Sequence, residues 1–124
     1  MAEIHTELRE QALLISVKGP LTSQEIISVV ERVYPNLETP FIIWDLTDSS
    51  ISSISVQEFQ QIAGAAKRVM SPKRKSGKTA YISREDLTFG MTCMYTAYAS
   101  LADVPIAYSV FRTMPEALQW LAEG

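Results

Sequence analysis

Apolar residues follow two different spacings along the chain, and each spacing predicts a different kind of element. Short apolar stretches that are typical of strands occur at EIHTEL, ALLISVK, PFIIWDL, KTAYIS and PIAYSVF. Each of the last four is followed by a segment whose apolar residues recur every three or four positions, which favours an amphipathic helix. The pattern therefore predicts the element order β-β-α-β-α-β-α-β-α.

This alternation predicts a single α/β domain over residues 1–124, with right-handed crossovers and a mostly parallel sheet covered by helices on both faces. The first two strands are separated only by REQ, so they should form an antiparallel hairpin at the N-terminal edge of the sheet. Ligand sites in such sheets lie beyond the carboxyl ends of the parallel strands. The candidates for the edge of a ligand site are therefore Asp45, Asp48, Ser83 and Arg112.

The helix starts carry capping signals, in which a hydroxyl residue precedes an acid by three positions. The pairs are Thr22 with Glu25, Ser55 with Glu58, Ser83 with Asp86, and Thr113 with Glu116. A capping serine satisfies one unpaired backbone N–H group and contributes about 1 kcal/mol. Likewise, an aspartate at the end of a strand, such as Asp45, most often accepts hydrogen bonds from its own following loop.

The third predicted helix, residues 87–102, contains no charged residue, although a surface helix ordinarily keeps charges on its outer face. At 100° per residue, its inward face consists of Leu87, Met91, Met94, Tyr95, Tyr98 and Ala102. Its outer face then holds Phe89, Cys93, Thr96, Ala97 and Ser100. This small, apolar face predicts contact with a second copy of the chain or with another protein. The competing interpretation is a weakly polar helix that is simply exposed to solvent.

A second interpretation of the same helix is a pocket for an apolar or anionic lipid-like ligand between the helix and the sheet. Methionine side chains adapt readily to the shape of a ligand. The candidate lining residues are Trp44, Tyr81, Met91, Met94, Tyr95, Tyr98 and Phe111. Ordinary core packing accounts for the same residues.

The net charge of -3 conceals an uneven distribution. A basic patch in residues 67–78 holds six of the eleven Lys and Arg residues and no acid: Lys67, Arg68, Lys73, Arg74, Lys75 and Lys78. Such a patch attracts phosphate, an acidic lipid surface or an acidic partner, although cations near a helix C-terminus also complement the helix dipole. Peripheral membrane contact stays open, and no signal for specific nucleic-acid binding is present.

The sequence lacks the residues that several classes of protein function require. No apolar run reaches the roughly 20 residues that span a bilayer, and no signal peptide is recognisable, so we expect a cytoplasmic protein. The single cysteine, Cys93, excludes an internal disulfide and a cysteine-based zinc site, and we expect no metal or cofactor. The only histidine, His5, is distant along the chain from every candidate nucleophile. A serine hydrolase is therefore the weakest alternative.

The segments IIWDLTD, DLTFGMTCMYTAY and VFRTMPEALQWL, in this order of elements, resemble the STAS domain of anti-sigma-factor antagonists and sulfate transporters. They resemble more closely the small SpoIIAA-like bacterial proteins, which are related in fold to CRAL-TRIO lipid-binding domains. The resemblance covers nearly the whole chain. Together with the uncharged face of the third helix, it predicts a non-enzymatic regulatory module that acts through protein contacts, with a homodimer as the leading expectation and another protein as the alternative partner.

The resemblance also singles out one serine. In antagonist STAS proteins, a partner kinase phosphorylates a serine about ten residues after the aspartate of the strand. Counting from Asp45 makes Ser55 the counterpart of this phosphoacceptor, and Ser53 falls where those proteins carry an aspartate. The Asp-Ser-Ser-Gly signature of those proteins is not found at this place. Phosphate on Ser55 would meet the positive end of the following helix, which is a favourable anion site.

Overall fold

The computed structural model describes residues 2–9, 12–70, 77–100 and 106–123. Their strands are β1 (Glu3–Arg9), β2 (Ala12–Pro20), β3 (Phe41–Ser50), β4 (Gly77–Ile82) and β5 (Ile106–Phe111). Their helices are α1 (Ser23–Val33), α2 (Val56–Arg68), α3 (Asp86–Ser100) and α4 (Met114–Ala122), and a short 3₁₀ turn, Tyr34–Asn36, follows α1. The predicted order of elements is confirmed. None of these described helices is long and apolar enough to cross a membrane.

The strands form one sheet in the order β1-β2-β3-β4-β5. β1 runs antiparallel to β2, with pairs from Glu3↔Lys18 to Arg9↔Ala12. The remaining neighbours are parallel. The predicted parallel sheet with an antiparallel N-terminal edge is therefore confirmed, and the carboxyl ends of β2 to β5 lie at the same edge.

Helices cover both faces of the sheet, as predicted. On one face, α1, α2 and α3 enclose a core whose members include Ile15, Val30, Trp44, Phe59 and Tyr95. On the opposite face, α4 packs on a smaller core made of Ala12, Leu14, Ile43, Ala80, Ile82, Ala117 and Leu121. Successive residues of a strand point to opposite faces of the sheet. The central strands are apolar at successive positions, so they contribute side chains to both cores.

The predicted inward face of α3 was wrong at two positions. Leu87 is 57% exposed and Met94 is 37% exposed. Tyr95 is buried as expected, whereas Met91 and Tyr98 are only half-buried. The predicted end of this helix, at position 102, lies outside the described residues.

Two threonines take the inward positions on α3 instead. Thr88 and Thr92 are both buried, together with Ala99. The hydroxyl of Thr92 donates to the carbonyl of Thr88 at 2.7 Å, and the hydroxyl of Thr88 donates to the carboxylate of Glu85 at 2.9 Å. Since these local bonds satisfy the hydroxyls, the threonines can face the core without a buried unpaired polar atom.

Candidate functional site

Charged side chains connect the loops at the carboxyl edge of the sheet. Asp48, near the end of β3, lies 3.7 Å from the guanidinium of Arg84, which follows β4. Arg112 follows β5, and its guanidinium donates to the carboxylate of Asp86 at 2.8 Å and to the carbonyl of Arg84 at 2.9 Å. The same guanidinium lies 4.0 Å from the centre of the Phe89 ring. The structure thus brings the predicted Asp48 and Arg112 to one polar surface, which also includes Arg84 and Asp86.

The other two predicted edge residues are held in the local structure. The carboxylate of Asp45 accepts two hydrogen bonds from Thr47, one from its N–H group at 3.1 Å and one from its hydroxyl. Both residues lie inside β3, which continues to Ser50, so the prediction that Asp45 ends the strand and bonds to a following loop was wrong. Ser83 is fully buried, and its N–H group donates to the carbonyl of Phe111 at 2.9 Å. Asp45 therefore bonds within β3, whereas Ser83 joins the end of β4 to the end of β5.

The serine-rich segment begins inside the sheet rather than after it, because β3 continues to Ser50. Ser49 is buried, and its hydroxyl donates to the carbonyl of Gly19 at 2.8 Å. The hydroxyls of Ser50 and Ser52 lie 3.0 Å apart across the following turn. Ser53 is exposed in this turn. Most of these serines therefore have structural hydrogen bonds.

Ser55 and Glu58 form the predicted capping box at the start of α2. The Ser55 hydroxyl accepts from the N–H group of Glu58 at 3.2 Å, and the Glu58 carboxylate accepts from the N–H group of Ser55 at 2.8 Å. The same carboxylate accepts from the hydroxyl of Ser23, at the start of α1, at 2.8 Å. Hydrogen bonding lowers the pKa of Glu58. The bond from the Ser55 backbone has the largest effect, followed by the Ser23 side chain and then the Ser55 side chain. A carboxylate already stands at the positive end of α2, beside the position where a phosphate on Ser55 would lie.

A small apolar cavity lies between the sheet and the three helices on its larger face. Its volume is about 30 Å³, which is room for one or two water molecules. Three of the predicted pocket residues line it: Trp44, Tyr81 and Tyr95. Four do not: Met91, Met94, Tyr98 and Phe111. Phe111 packs against the core of the opposite face. Ligand pockets measure roughly 300–1,000 Å³, so this cavity has about a tenth of the smallest volume in that range.

The wall of this cavity is a well-bonded aromatic cluster. The indole N–H group of Trp44 donates to the hydroxyl of Tyr34 at 3.0 Å. The ring of Tyr95 lies 5.9 Å from the ring of Tyr81 and 5.7 Å from the ring of Phe59, measured between centroids. Burial raises the pKa of Tyr95, so its hydroxyl stays neutral. The cluster has the character of a packed core rather than of a reactive site.

The solvent side of α3 carries no charge after its first residue, and we call this side the α3 face. Its exposed residues are Leu87, Gly90, Cys93, Met94 and Ala97. Cys93 and Ala97 belong to the predicted interface, whereas Phe89 and Thr96 are half-buried beside it. The side chain of Ser100, the last predicted member, lies outside the described part of the chain. Leu87 and Met94 give the α3 face more apolar area than the sequence predicts.

The basic patch is described only in part, because Lys73, Arg74 and Lys75 lie outside the described residues. Lys67 and Arg68 are exposed at the end of α2. The ammonium group of Lys78 donates to the carbonyls of Trp120 at 2.7 Å and Glu123 at 2.6 Å. Lys78 therefore binds the C-terminal end of α4, a role that the sequence pattern does not indicate.

Reactive residues are not gathered into a cluster in the described part of the chain. No group of three or more His, Cys, Asp or Glu side chains there is placed to hold a metal ion. His5 lies exposed on the edge strand β1, and Cys93 lies on the α3 face. The serines of the β3–α2 segment make their hydrogen bonds with one another, with Gly19 and with Glu58.

Two solved structures are similar to this chain over nearly its whole length. One is an anti-sigma factor antagonist from Mycobacterium paratuberculosis, with a TM-score of 0.62 and 15% identity, covering 99% of this chain and 96% of that chain. The other is an uncharacterised DUF3478-family protein with a SpoIIAA-like fold from Shewanella loihica, with a TM-score of 0.56 and 19% identity, covering 98% and 94% respectively. No family model matches the sequence, and no curated protein matches it significantly. The chain therefore has a STAS-like, SpoIIAA-like fold, as the sequence predicts.

Proposed function

We propose that this chain is a non-enzymatic regulatory module that binds another protein through the α3 face. The observation that carries the proposal is an exposed helix face without charge, in which Leu87 and Met94 present apolar side chains to water. Similarity to an anti-sigma factor antagonist supports a role in regulation through protein contacts. Fold alone does not determine function, so the α3 face is the feature to test.

The α3 face shares with an interface core its lack of charge and a methionine side chain. Such cores are depleted of charge and enriched in methionine and aromatic residues. Gly90, Cys93 and Ala97 are small, so a partner helix or loop can approach the backbone closely, while Leu87 and Met94 supply apolar area. At the N-terminal end of the same helix, the ion pair of Asp86 with Arg112 provides part of a polar rim.

Regulation through Ser55 follows from the resemblance to antagonist STAS proteins. Phosphate on Ser55 would take up the hydroxyl that caps α2 and would place negative charge beside the Glu58 carboxylate. Repulsion between the two would disturb the hydrogen bond from Ser23 to Glu58, which joins α1 to α2. Phosphopeptide mapping of the protein from its native cells tests this modification.

The interface is tested with the double variant Leu87→Glu/Met94→Glu. Its matched control is Gln57→Glu/Gln60→Glu, which adds the same charge at exposed positions of α2. Each protein is used as bait in native cell extract, and captured proteins are quantified by mass spectrometry. We expect at least one protein to be recovered with the wild type and the control, and to fall at least tenfold with the α3 variant. Equal recovery with all three baits would show that the α3 face is not the binding surface.

A further inference from the structure

Strand β1 leaves one side of its backbone open. In the described part of the chain, β1 pairs only with β2, so its other side forms an edge of the sheet. Most of its side chains are exposed, and Leu8 is 65% exposed. An open edge of this length is a template for pairing with another strand. We propose that β1 pairs antiparallel with β1 of a second copy of this chain, about a two-fold axis at Thr6.

Backbone geometry restricts this pairing to a few registers. Only two residues separate Arg9 from Ala12, so this pair closes the hairpin with hydrogen bonds between its members. Hydrogen-bonded pairs alternate along an antiparallel ladder, and the odd-numbered residues of β1 therefore face β2. The N–H and C=O groups of Ile4, Thr6 and Leu8 point to the open edge. The register with the longest overlap sets Ile4 opposite the partner's Leu8 and Thr6 opposite the partner's Thr6.

Side-chain charges select the same register. It sets Glu3 opposite the partner's Arg9, and symmetry repeats this contact at the other end of the paired strands. Opposite charges directly across an antiparallel pair are favourable, whereas like charges are unfavourable. A shift of two residues in one direction sets Glu3 opposite the partner's Glu7, and a shift in the other direction sets Glu7 opposite itself. The symmetric register is therefore favoured over both of its neighbours.

Apolar residues on the other face of β1 favour the same arrangement. The partner's Leu8 lies opposite Ile4, which borders an open groove between β1 and α1. The groove has a volume of about 480 Å³, and Ala2, Ile4 and Val29 are among the residues that line it. An otherwise exposed leucine thus gains apolar contacts beside Ile4, and it does so twice in the dimer. This interface lies on a different element from the α3 face, so a dimer could still bind a partner protein.

Charge reversal gives the sharpest test. Glu3→Arg and Arg9→Glu each create like-charge contacts at both ends of the paired strands, whereas a mixed dimer of the two variants again sets unlike charges opposite each other. In sedimentation equilibrium of the full chain, the wild type should be dimeric at high micromolar concentration. Each single variant should have a dissociation constant raised roughly tenfold, and an equal mixture should recover the wild-type value. A monomeric wild type, or single variants that associate like the wild type, would overturn the proposal.

A second pair of variants separates this interface from the proposed partner surface. Thr6→Pro removes an N–H group that points to the open edge, so it should abolish the dimer while the β1–β2 ladder remains. Circular dichroism and thermal unfolding check that the variant folds; if it does not, the charge-reversal pair decides. Met94→Glu should leave the dimer mass unchanged and reduce partner capture. Dissociation of the dimer by Met94→Glu would instead assign self-association to the α3 face and contradict the proposal.

Discussion

Glu58 is a single residue on which the contact between two helix N-termini depends. Its pKa in the folded state is below its ordinary value of 4.5, because Ser55 and Ser23 donate hydrogen bonds to the ionised carboxylate. A lowered folded-state pKa contributes stability that is present above the unfolded-state pKa and is lost as the pH falls through the folded-state value. Glu58→Gln should therefore lower stability at neutral pH and reduce the loss of stability below about pH 4.5. Urea unfolding midpoints across this range measure both effects.

A matched variant separates this effect from a general loss of charge. Glu31→Gln removes a carboxylate from an exposed position of α1. Its stability profile in acid should follow that of the wild type. Ser23→Ala, which removes one donor to the Glu58 carboxylate, should raise the pKa of Glu58 toward its ordinary value in an NMR titration of the side-chain carboxyl. An unchanged pKa of Glu58 in this variant would show that the hydrogen bond from Ser23 to Glu58 does not form in solution.

At the scale of the element, the orientation of α3 can be tested by its tolerance of charge. Leu87→Glu and Met94→Glu change exposed positions, and each should alter the free energy of unfolding by no more than about 0.5 kcal/mol. Ala99→Glu, which buries a carboxylate in the core of the larger face, should be destabilising by several kcal/mol. Chemical denaturation measures all three. Severe destabilisation by Met94→Glu would instead support the face that the sequence pattern predicts.

Local elements were predictable because they depend on residues that are close along the chain. The capping box of Ser55 and Glu58 spans three residues, and backbone geometry alone brings its two hydrogen bonds together. The orientation of α3 could not be predicted in this way. Charged residues normally mark the solvent side of a helix, and residues 87–100 have none. The buried threonines are polar, so hydrophobicity did not select them for the inward side.

Contacts at the carboxyl edge were harder to predict than the edge itself. The element order is sufficient to place Asp48 and Arg112 near the carboxyl ends of their strands. The pairing of Asp48 with Arg84 depends on the adjacency of β3 and β4, which pattern alone does not determine. Likewise, Ser23 meets Glu58 only because α1 and α2 lie side by side, and the two residues are 35 positions apart. Such contacts follow from strand order and helix packing rather than from any local signal.

At the scale of the whole molecule, the two faces of the sheet are covered unequally. Three described helices pack on the larger core, and α4 packs on the smaller one. Beside α4, a groove of about 300 Å³ remains between β2 and this helix. Among the described residues, one nine-residue helix covers the smaller face, so contacts that hold α4 on the sheet stabilise this face.

Lys78 provides such a fixing contact, because its ammonium group reaches from β4 to two carbonyls at the end of α4 and lies 5.0 Å from the ring centre of Trp120. The Trp120 carbonyl also accepts from the N–H group of Glu123, and the cation complements the negative end of the helix dipole. Lys78→Met keeps most of the aliphatic chain but removes both hydrogen bonds, so it should be destabilising by about 1.5–3 kcal/mol. Lys18→Met, at an exposed position of β2 opposite Glu3, is the control and should be destabilising by no more than about 1 kcal/mol. Hydrogen exchange should become faster in α4 before it does in α1 or α2, and uniform acceleration across the chain would show that α4 does not open independently.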